Sequence, residues 1–189
     1  AFGTSKLVLD GFREPLARLA PHLIDNRLGS IAAHESAVVQ LTSDFRIRGG
    51  LLATYGDGSF RGGGELDGVR MAGATRFEVP TGETTGWLGA IRNDGKFLVA
   101  DGGRIQLRDA RVDLTGIGQV ELAGISAELD LGGHTLRNVA NRIHGAGQLR
   151  NGGFENLASV EADVSGQTLR LTVPQGGTWT NASTLAATN

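Results

Sequence analysis

The 189-residue sequence contains no cysteine, only four prolines and no run of about 18 apolar residues. Without cysteine the chain cannot form disulfides or thiolate metal sites. With so few prolines, its thirty glycines do not fit the composition of collagen or of a proline-rich linker. The missing apolar run excludes a membrane-spanning helix, and we expect no membrane insertion of this segment.

Positive and negative side chains are nearly balanced, because the formal net charge is only −2. Such a balance provides no basic surface, so nucleic acid is not predicted as a partner. Apolar residues nevertheless make up 40% of the chain, which argues against disorder. We therefore interpret the many glycines as turn residues in a folded, strand-rich domain.

The clearest feature of the sequence is an internal repeat towards its end. Residues 154–162 (FENLASVEA) and 179–187 (WTNASTLAA) align without a gap, and 91–99 (IRNDGKFLV) keeps the same order. Residues 136–143 (LRNVANRI) fit with one extra residue. The intervals between the first residues of these copies are 45, 18 and 25, which averages about 22 if the longest interval hides one further copy. A period of this size predicts a solenoid.

The strand pattern supports the same fold class. From Ile31 onward, short runs alternate apolar and polar residues, as in Ile105–Leu107 and Val112–Leu114, and glycine-rich corners separate them. Such runs predict an all-β coil of short strands stacked turn on turn. Matching residues should then form ladders: Ile91, Leu136, Phe154 and Trp179 as an interior column; Phe97, Ile143, Val160 and Leu185 as a second; and Asn93, Asn138, Asn156 and Asn181 as a column at a corner.

The first thirty residues follow a different pattern. Residues 6–9 predict a short strand, and apolar residues at 12, 16, 19, 23 and 24 have the spacing of a helix, which Pro21 would break or kink. We expect 1–30 to form an N-terminal strand and a short capping helix, although an ordinary surface helix fits equally well. Residues 31–189 should form the solenoid, and because the last repeat is incomplete we expect the native chain to continue beyond Asn189.

Candidate catalytic residues are few. Asp94, Asp101, Asp109 and Asp113 fall within about one turn and could converge with Arg104, Arg108 or Arg111, as a glycosidase or a Ca²⁺ site would require. Their alternation with apolar residues is explained better by a solvated outer face. His134 and His144 are ten residues apart and are interpreted as turn or solvated residues. No nucleotide-binding or nucleophile motif is present, so no cofactor, no metal and no enzymatic activity are predicted.

The segment from residue 136 to residue 189, which includes TLRNVANRIHGAGQLRNGGFEN, resembles the repeats of bacterial autotransporter passengers and filamentous-haemagglutinin-like surface proteins. The resemblance covers about the last 100 residues. It implies a right-handed parallel β-helix in a secreted or cell-surface adhesin, a structural role, and surface glycans or host or neighbouring-cell proteins as partners. The segments 57–64 and 82–89 are the candidate contact loops. The alternative is a carbohydrate-active or glycan-binding β-helix, such as a polysaccharide lyase, a hydrolase or a tailspike-like fibre.

Overall fold

All regular structure in the described part of the chain is β-strand. The computed structural model describes residues 5–9, 21–174 and 177–188. Within these ranges it contains 23 strands and no helix, and the strand pairs are parallel. No helix in these ranges is long and apolar enough to cross a membrane. The predicted all-β solenoid is therefore confirmed for the residues that the structure describes.

Each turn of the coil places one strand on each of three faces. The first face consists of β1 (Lys6–Leu9), β4 (Val38–Leu41), β7 (Ser59–Gly62), β10 (Arg76–Val79), β13 (Lys96–Ala100), the first part of β16 (Gln119–Asp130), the first part of β18 (Arg142–Arg150), β20 (Ser159–Ala162) and β23 (Thr184–Ala187). The second face consists of β2 (His22–Asp25), β5 (Phe45–Arg48), β8 (Gly64–Asp67), β11 (Thr84–Leu88), β14 (Arg104–Leu107), the second parts of β16 and β18, and β21 (Leu169–Thr172).

The third face forms a separate sheet. It consists of β3 (Ser30–His34), β6 (Leu51–Tyr55), β9 (Arg70–Met71), β12 (Ala90–Asn93), β15 (Arg111–Thr115), β17 (Thr135–Asn138), β19 (Gly153–Asn156) and β22 (Trp179–Asn181). The chain thus runs from first to second to third face and returns to the first at the next corner. We call that last bend the return corner.

The turn length follows from the first face. Paired residues there are, in order, Val39, Phe60, Phe77, Phe97, Val120, Ile143, Val160 and Leu185. Val39 and Leu185 are seven turns apart, so a turn averages about 21 residues and the seven turns rise about 34 Å. Single turns range from 17 residues, between Phe60 and Phe77, to 25, between Val160 and Leu185. The second predicted column, from Phe97 to Leu185, lies in this ladder. Val120 belongs to the further copy that was expected between Phe97 and Ile143.

The core is the interior of the coil. Phe60, Phe77 and Phe97 follow one another on three turns with ring centroids 6.3 and 5.5 Å apart, and Trp87 meets Phe97 edge-on at 4.9 Å. All four are fully buried. Burial of an aromatic or branched side chain stabilises a fold by about 1.5–3 kcal/mol, so a closed apolar column is the main stabilising element of each turn.

Glycine allows the chain to bend without leaving the sheets. Gly145 lies inside β18, where the strand passes from the first face to the second, and its φ is +111°. A Cβ there would lie 2.2 Å from the carbonyl oxygen of Leu122 in the preceding turn. No larger residue fits this bend, which explains why part of the high glycine content falls within strands.

Two predictions about local structure are wrong: that the N-terminal helical pattern extends to Leu23 and Ile24, and that 57–64 and 82–89 are loops. Leu23 and Ile24 do not belong to a capping helix but to β2, where Ile24 pairs with Ile47 of β5. Pro21 precedes this strand, and Leu23 and Ile24 suit a two-residue alternation as well as a helical one. The other residues of the helical pattern, 12, 16 and 19, lie outside the described residues. Since β1 and β2 pair with β4 and β5, the stack begins before residue 31.

The two predicted contact loops are also largely strand. Residues 84–88 form β11 of the second face, and 57–64 contains β7 and the first residue of β8. Glycine-rich sequence indicated loops, but Gly86 lies within β11 and the other glycines lie at the ends of these short strands or in the bends around them.

Candidate functional site

The predicted interior column is partly correct. Leu136, Phe154 and Trp179 are in register on three successive turns, and the Phe154 and Trp179 rings meet edge-on at 5.2 Å. The indole Nε1–H of Trp179 donates to the carbonyl oxygen of Gly152 at 2.7 Å. Ile91 does not belong to this column, because it pairs with Leu114, which in turn pairs with Asn138.

The asparagine column shows the same shift. Asn138, Asn156 and Asn181 are in register, and each Nδ2 donates to the next Oδ1, at 3.0 and 2.8 Å. Asn93 is not in register with Asn138. Its Nδ2 donates at 2.7 Å to the Oδ1 of Asn141, which the sequence analysis did not single out.

The displacements of Ile91 and Asn93 have one cause, which is that the return corner differs in length from turn to turn. Five residues separate Ile91 from Phe97 at the return corner, whereas three separate Asn156 from Val160. A gap-free alignment of 91–99 with 154–162 therefore superposes the strand after the corner and displaces the strand before it by two residues. Two residues is one full alternation of a strand, so the apolar pattern does not reveal the error.

The buried asparagine amides are hydrogen-bonded both within their own corner and to neighbouring turns. Asn138 Nδ2 also donates to the carbonyl of Asn141 at 2.8 Å, and the Asn141 N–H donates to Asn138 Oδ1 at 3.1 Å. Asn141 Nδ2 donates to the carbonyls of Thr115 and Gly116. Because these amides are fully buried and bonded within the stack, they tie turns together and are not directed at a ligand.

The carboxylate cluster that was considered as an alternative to a solvated outer face does not assemble. Asp94, Asp101 and Asp109 lie at three different corners of one turn, since they follow β12, β13 and β14 respectively. Each accepts a backbone hydrogen bond from a neighbouring turn, from the N–H of Ile117 at 3.4 Å, of Ser126 at 2.8 Å and of Gly89 at 2.7 Å. These side chains support corners, so the convergence considered for a glycosidase or Ca²⁺ site is not seen.

The arginines named with them are part of the outer surface. Arg111 contacts Asp113 on its own strand at 3.0 Å and Glu155 at 3.3 Å. On the second face, Glu128 joins Arg104 at 2.6 Å and Arg150 at 2.8 Å. The Arg108 side chain lies over Gly86, whose added Cβ would be 3.1 Å from Arg108 Cγ. Opposite charges thus alternate from turn to turn along the outside, as cross-strand pairing favours.

One buried polar cluster was not predicted. His144 is only 8% exposed, and its Nδ1 and Nε2 lie 3.0 Å from Asp163 Oδ2 and 3.1 Å from Gln119 Oε1, so it links three successive turns. Arg142 completes the cluster with contacts to Glu161 at 2.6 Å and to Asp163 at 2.8 Å. His144 is therefore a buried linking residue and not the solvated histidine that the sequence suggested. His134 is a turn residue, and its N–H donates to the carbonyl of Leu131.

The carboxylates of this cluster are held in the charged form. The hydrogen bond from Arg142 is the main cause that lowers the pKa of Glu161. For Asp163 burial alone raises the pKa, but the charges and hydrogen bonds of His144 and Arg142 together outweigh burial and lower it. Within the described residues, no group of three or more histidine or acidic side chains is arranged to hold a metal ion.

Comparison of the chain with models of known protein families, with curated proteins and with solved structures gives no match.

Proposed function

We propose that this chain is a non-enzymatic structural and adhesive segment of a secreted or cell-surface bacterial protein, wound as a right-handed β-solenoid. The observation that carries the proposal is the use made of its polar side chains. The buried amides join turn to turn, and three of the four acidic residues that could form a site instead bind backbone N–H groups at separate corners.

A rigid spacer is the function that such a build supports. Parallel ladders bond each turn to its two neighbours, so bending the rod requires displacing several strands at once. Each turn also exposes a new row of side chains at the same position on the outside. Contacts that are weak singly become strong when many are made together, which suits adhesion to surface glycans or to proteins of a host or neighbouring cell.

The test measures adhesion and turnover on the same preparation. Beads coated with the protein are passed over immobilised glycans and cells, and soluble polysaccharides are assayed for new reducing ends. We expect retention above that of beads coated with an unrelated protein, and no turnover. Turnover that is lost in Asp113→Asn would overturn the non-enzymatic proposal, and absence of retention on every surface would overturn the adhesive one.

A further inference from the structure

An exposed pair of stacked aromatic rings lies on the outer surface of the coil. His34 and Tyr55 are paired across β3 and β6, and their rings stack with centroids 4.6 Å apart and planes 19° apart. Tyr55 is 54% exposed, whereas Trp87, Phe60 and Phe97 lie wholly inside the coil. The pair stands at the end of the third face, where the chain enters the return corner.

The free side of the Tyr55 ring faces an open position. The ring spacing equals the spacing between turns, so the ring planes lie across the axis of the coil and the side of Tyr55 away from His34 is directed at the following turn. At this corner the following turn carries Ala72, Gly73 and Ala74, held in place by a hydrogen bond from Thr54 Oγ1 to the Ala74 carbonyl at 2.9 Å. None of these residues is large enough to cover an aromatic ring.

A polar groove lies on the first face, and its lining begins at Asp57, two residues after Tyr55 in the chain. It encloses about 230 Å³ and is lined by Asp57, Ser59, Arg76, Phe77, Glu78, Lys96 and Leu98. Asp57 and Arg76 are exposed, and neither makes an ion pair with another residue in the described part of the chain. Arg61 and Arg142 on the same face do make ion pairs, with Glu78 and Glu161. Within the described residues the groove thus holds a carboxylate and a guanidinium that make no ion pair, together with the Ser59 hydroxyl.

The corner fixes the two parts of this surface against each other. Gly58 packs so closely on the preceding turn that a Cβ would lie 2.4 Å from the carbonyl oxygen of Ala33. The chain therefore bends within three residues of Tyr55, and Asp57 lies in the turn that follows it. This rigidity reduces the ordering that binding would otherwise require.

We propose that this corner binds a saccharide: the apolar C–H face of one sugar ring lies on Tyr55, and its hydroxyls bind Asp57, Ser59 and Arg76. A hydroxyl both donates and accepts, so a polyhydroxylated ring satisfies a carboxylate and a guanidinium together. A cationic ligand on the ring would meet Arg76 and Lys96, and a phosphate chain would meet Asp57 and Glu78. The inference rests on the proposed adhesive function and gives that function a ligand class and a location.

The test is a titration of ¹⁵N-labelled protein with methyl β-D-glucopyranoside, methyl β-D-galactopyranoside, methyl N-acetyl-β-D-glucosaminide and D-galacturonic acid, followed by amide chemical shifts. We expect at least one sugar to shift amides of 34–36, 55–59 and 72–76. Tyr55→Ala should lower the affinity for that sugar by about 2- to 10-fold, which is the range that one aromatic contact contributes. Tyr55→Phe should retain the affinity of the native protein. Asp57→Asn should lower the affinity for the sugar by less than Tyr55→Ala does.

The matched control is Ile117→Ala. Ile117 is 85% exposed and lies at the return corner of a later turn, so its loss removes an exposed apolar side chain without touching the proposed site. The proposal would be overturned if none of the four sugars shifted these amides, or if the shifts persisted unchanged in Tyr55→Ala. Stronger binding of choline than of any sugar would also overturn it, since that would identify a cation site.

Bead adhesion separates this proposal from the one it rests on. Retention that is equal for the native protein and Tyr55→Ala, together with absent sugar shifts, leaves the adhesive function standing and rejects the sugar site. Sugar shifts at this corner without bead retention on any surface support the site and reject adhesion.

Discussion

The segments 154–162 and 179–187 share one motif but occupy different environments. Phe154 and Val160 are each 2% exposed, while Leu185, the partner of Val160 on the last described turn, is 50% exposed. Asn138 and Asn156 are buried, whereas Asn181 is exposed. The motif selects which side chains point inward, but a turn on either side is needed to bury them. Stability in this fold is therefore a property of neighbouring turns and not of a single repeat.

The largest difference in stability between the two segments should come from substitutions of the aromatic pair Phe154 and Trp179. Phe154→Ala should lower the free energy of unfolding by about 3–5 kcal/mol, because it opens a cavity between two packed turns. Trp179→Ala, in the less buried partner position, should cost clearly less. Chemical denaturation followed by far-UV circular dichroism measures both. Equal losses would show that the last turn is as well packed as the turn before it.

The asparagine ladder provides the second comparison. Asn138→Ala leaves the buried N–H of Asn141 without its acceptor, so it should cost about 1–3 kcal/mol. It also removes one of the two donors to Asn156 Oδ1, the other being the N–H of Ala158 at 3.4 Å. Asn181→Ala removes an exposed amide and should change stability by less than about 1 kcal/mol. The same denaturation curves serve as the measurement. A loss for Asn181→Ala as large as that for Asn138→Ala would contradict the view that burial gives the ladder its strength.

The two ends of this ladder also show what sequence can predict. Alternating runs and a recurring asparagine were enough to predict the solenoid and the register of Asn138, Asn156 and Asn181, because their corners are of similar length. Ile91 and Asn93 were misplaced since the corner after them is two residues longer than the corner after Asn156. Solvent-facing bends tolerate such insertions, and no local pattern records them.

Contacts between turns are harder still to predict. The partner of His144 is Asp163, 19 residues further on, and the partner of His34 is Tyr55, 21 residues further on. Turn lengths from 17 to 25 residues make such pairs invisible until the register is known. The acidic residues considered as an alternative site do not converge, because residues close in sequence lie at separate corners of one turn.

Acid should weaken the cluster around Arg142 but not the side-chain contacts of the last turn. The folded-state pKa values of Glu161 and Asp163 are lowered, so their stabilisation is complete above the unfolded values of 4.5 and 3.8 and is lost as the pH falls through the lower folded values. Residues 177–188 contain no ionisable side chain.

The measurement is the denaturation midpoint between neutral pH and pH values below those of the free carboxyls. The native protein should lose stability in the acid range, and the double variant Glu161→Gln, Asp163→Asn should be less stable at neutral pH but lose less on acidification. A pH dependence identical in the two proteins would show that other carboxylates dominate, since Asp25, whose pKa Arg27 lowers to about 2, would remain in both.

The smallest effect is expected where an ion pair stands entirely outside the stack. Arg111 contacts Asp113 on its own strand and Glu155 two turns away. Roughly half of the Arg111 side chain and more than a third of each carboxylate side chain are exposed, so solvent screens both attractions. Arg111→Ala should leave the denaturation midpoint nearly unchanged, and added salt should reduce even the small difference. Arg142→Ala is the comparison and should lower the midpoint more, because its partners Glu161 and Asp163 are only 22% and 23% exposed. If both variants shifted the midpoint equally at high salt, the exposed charges would contribute as much as the less exposed cluster around Arg142.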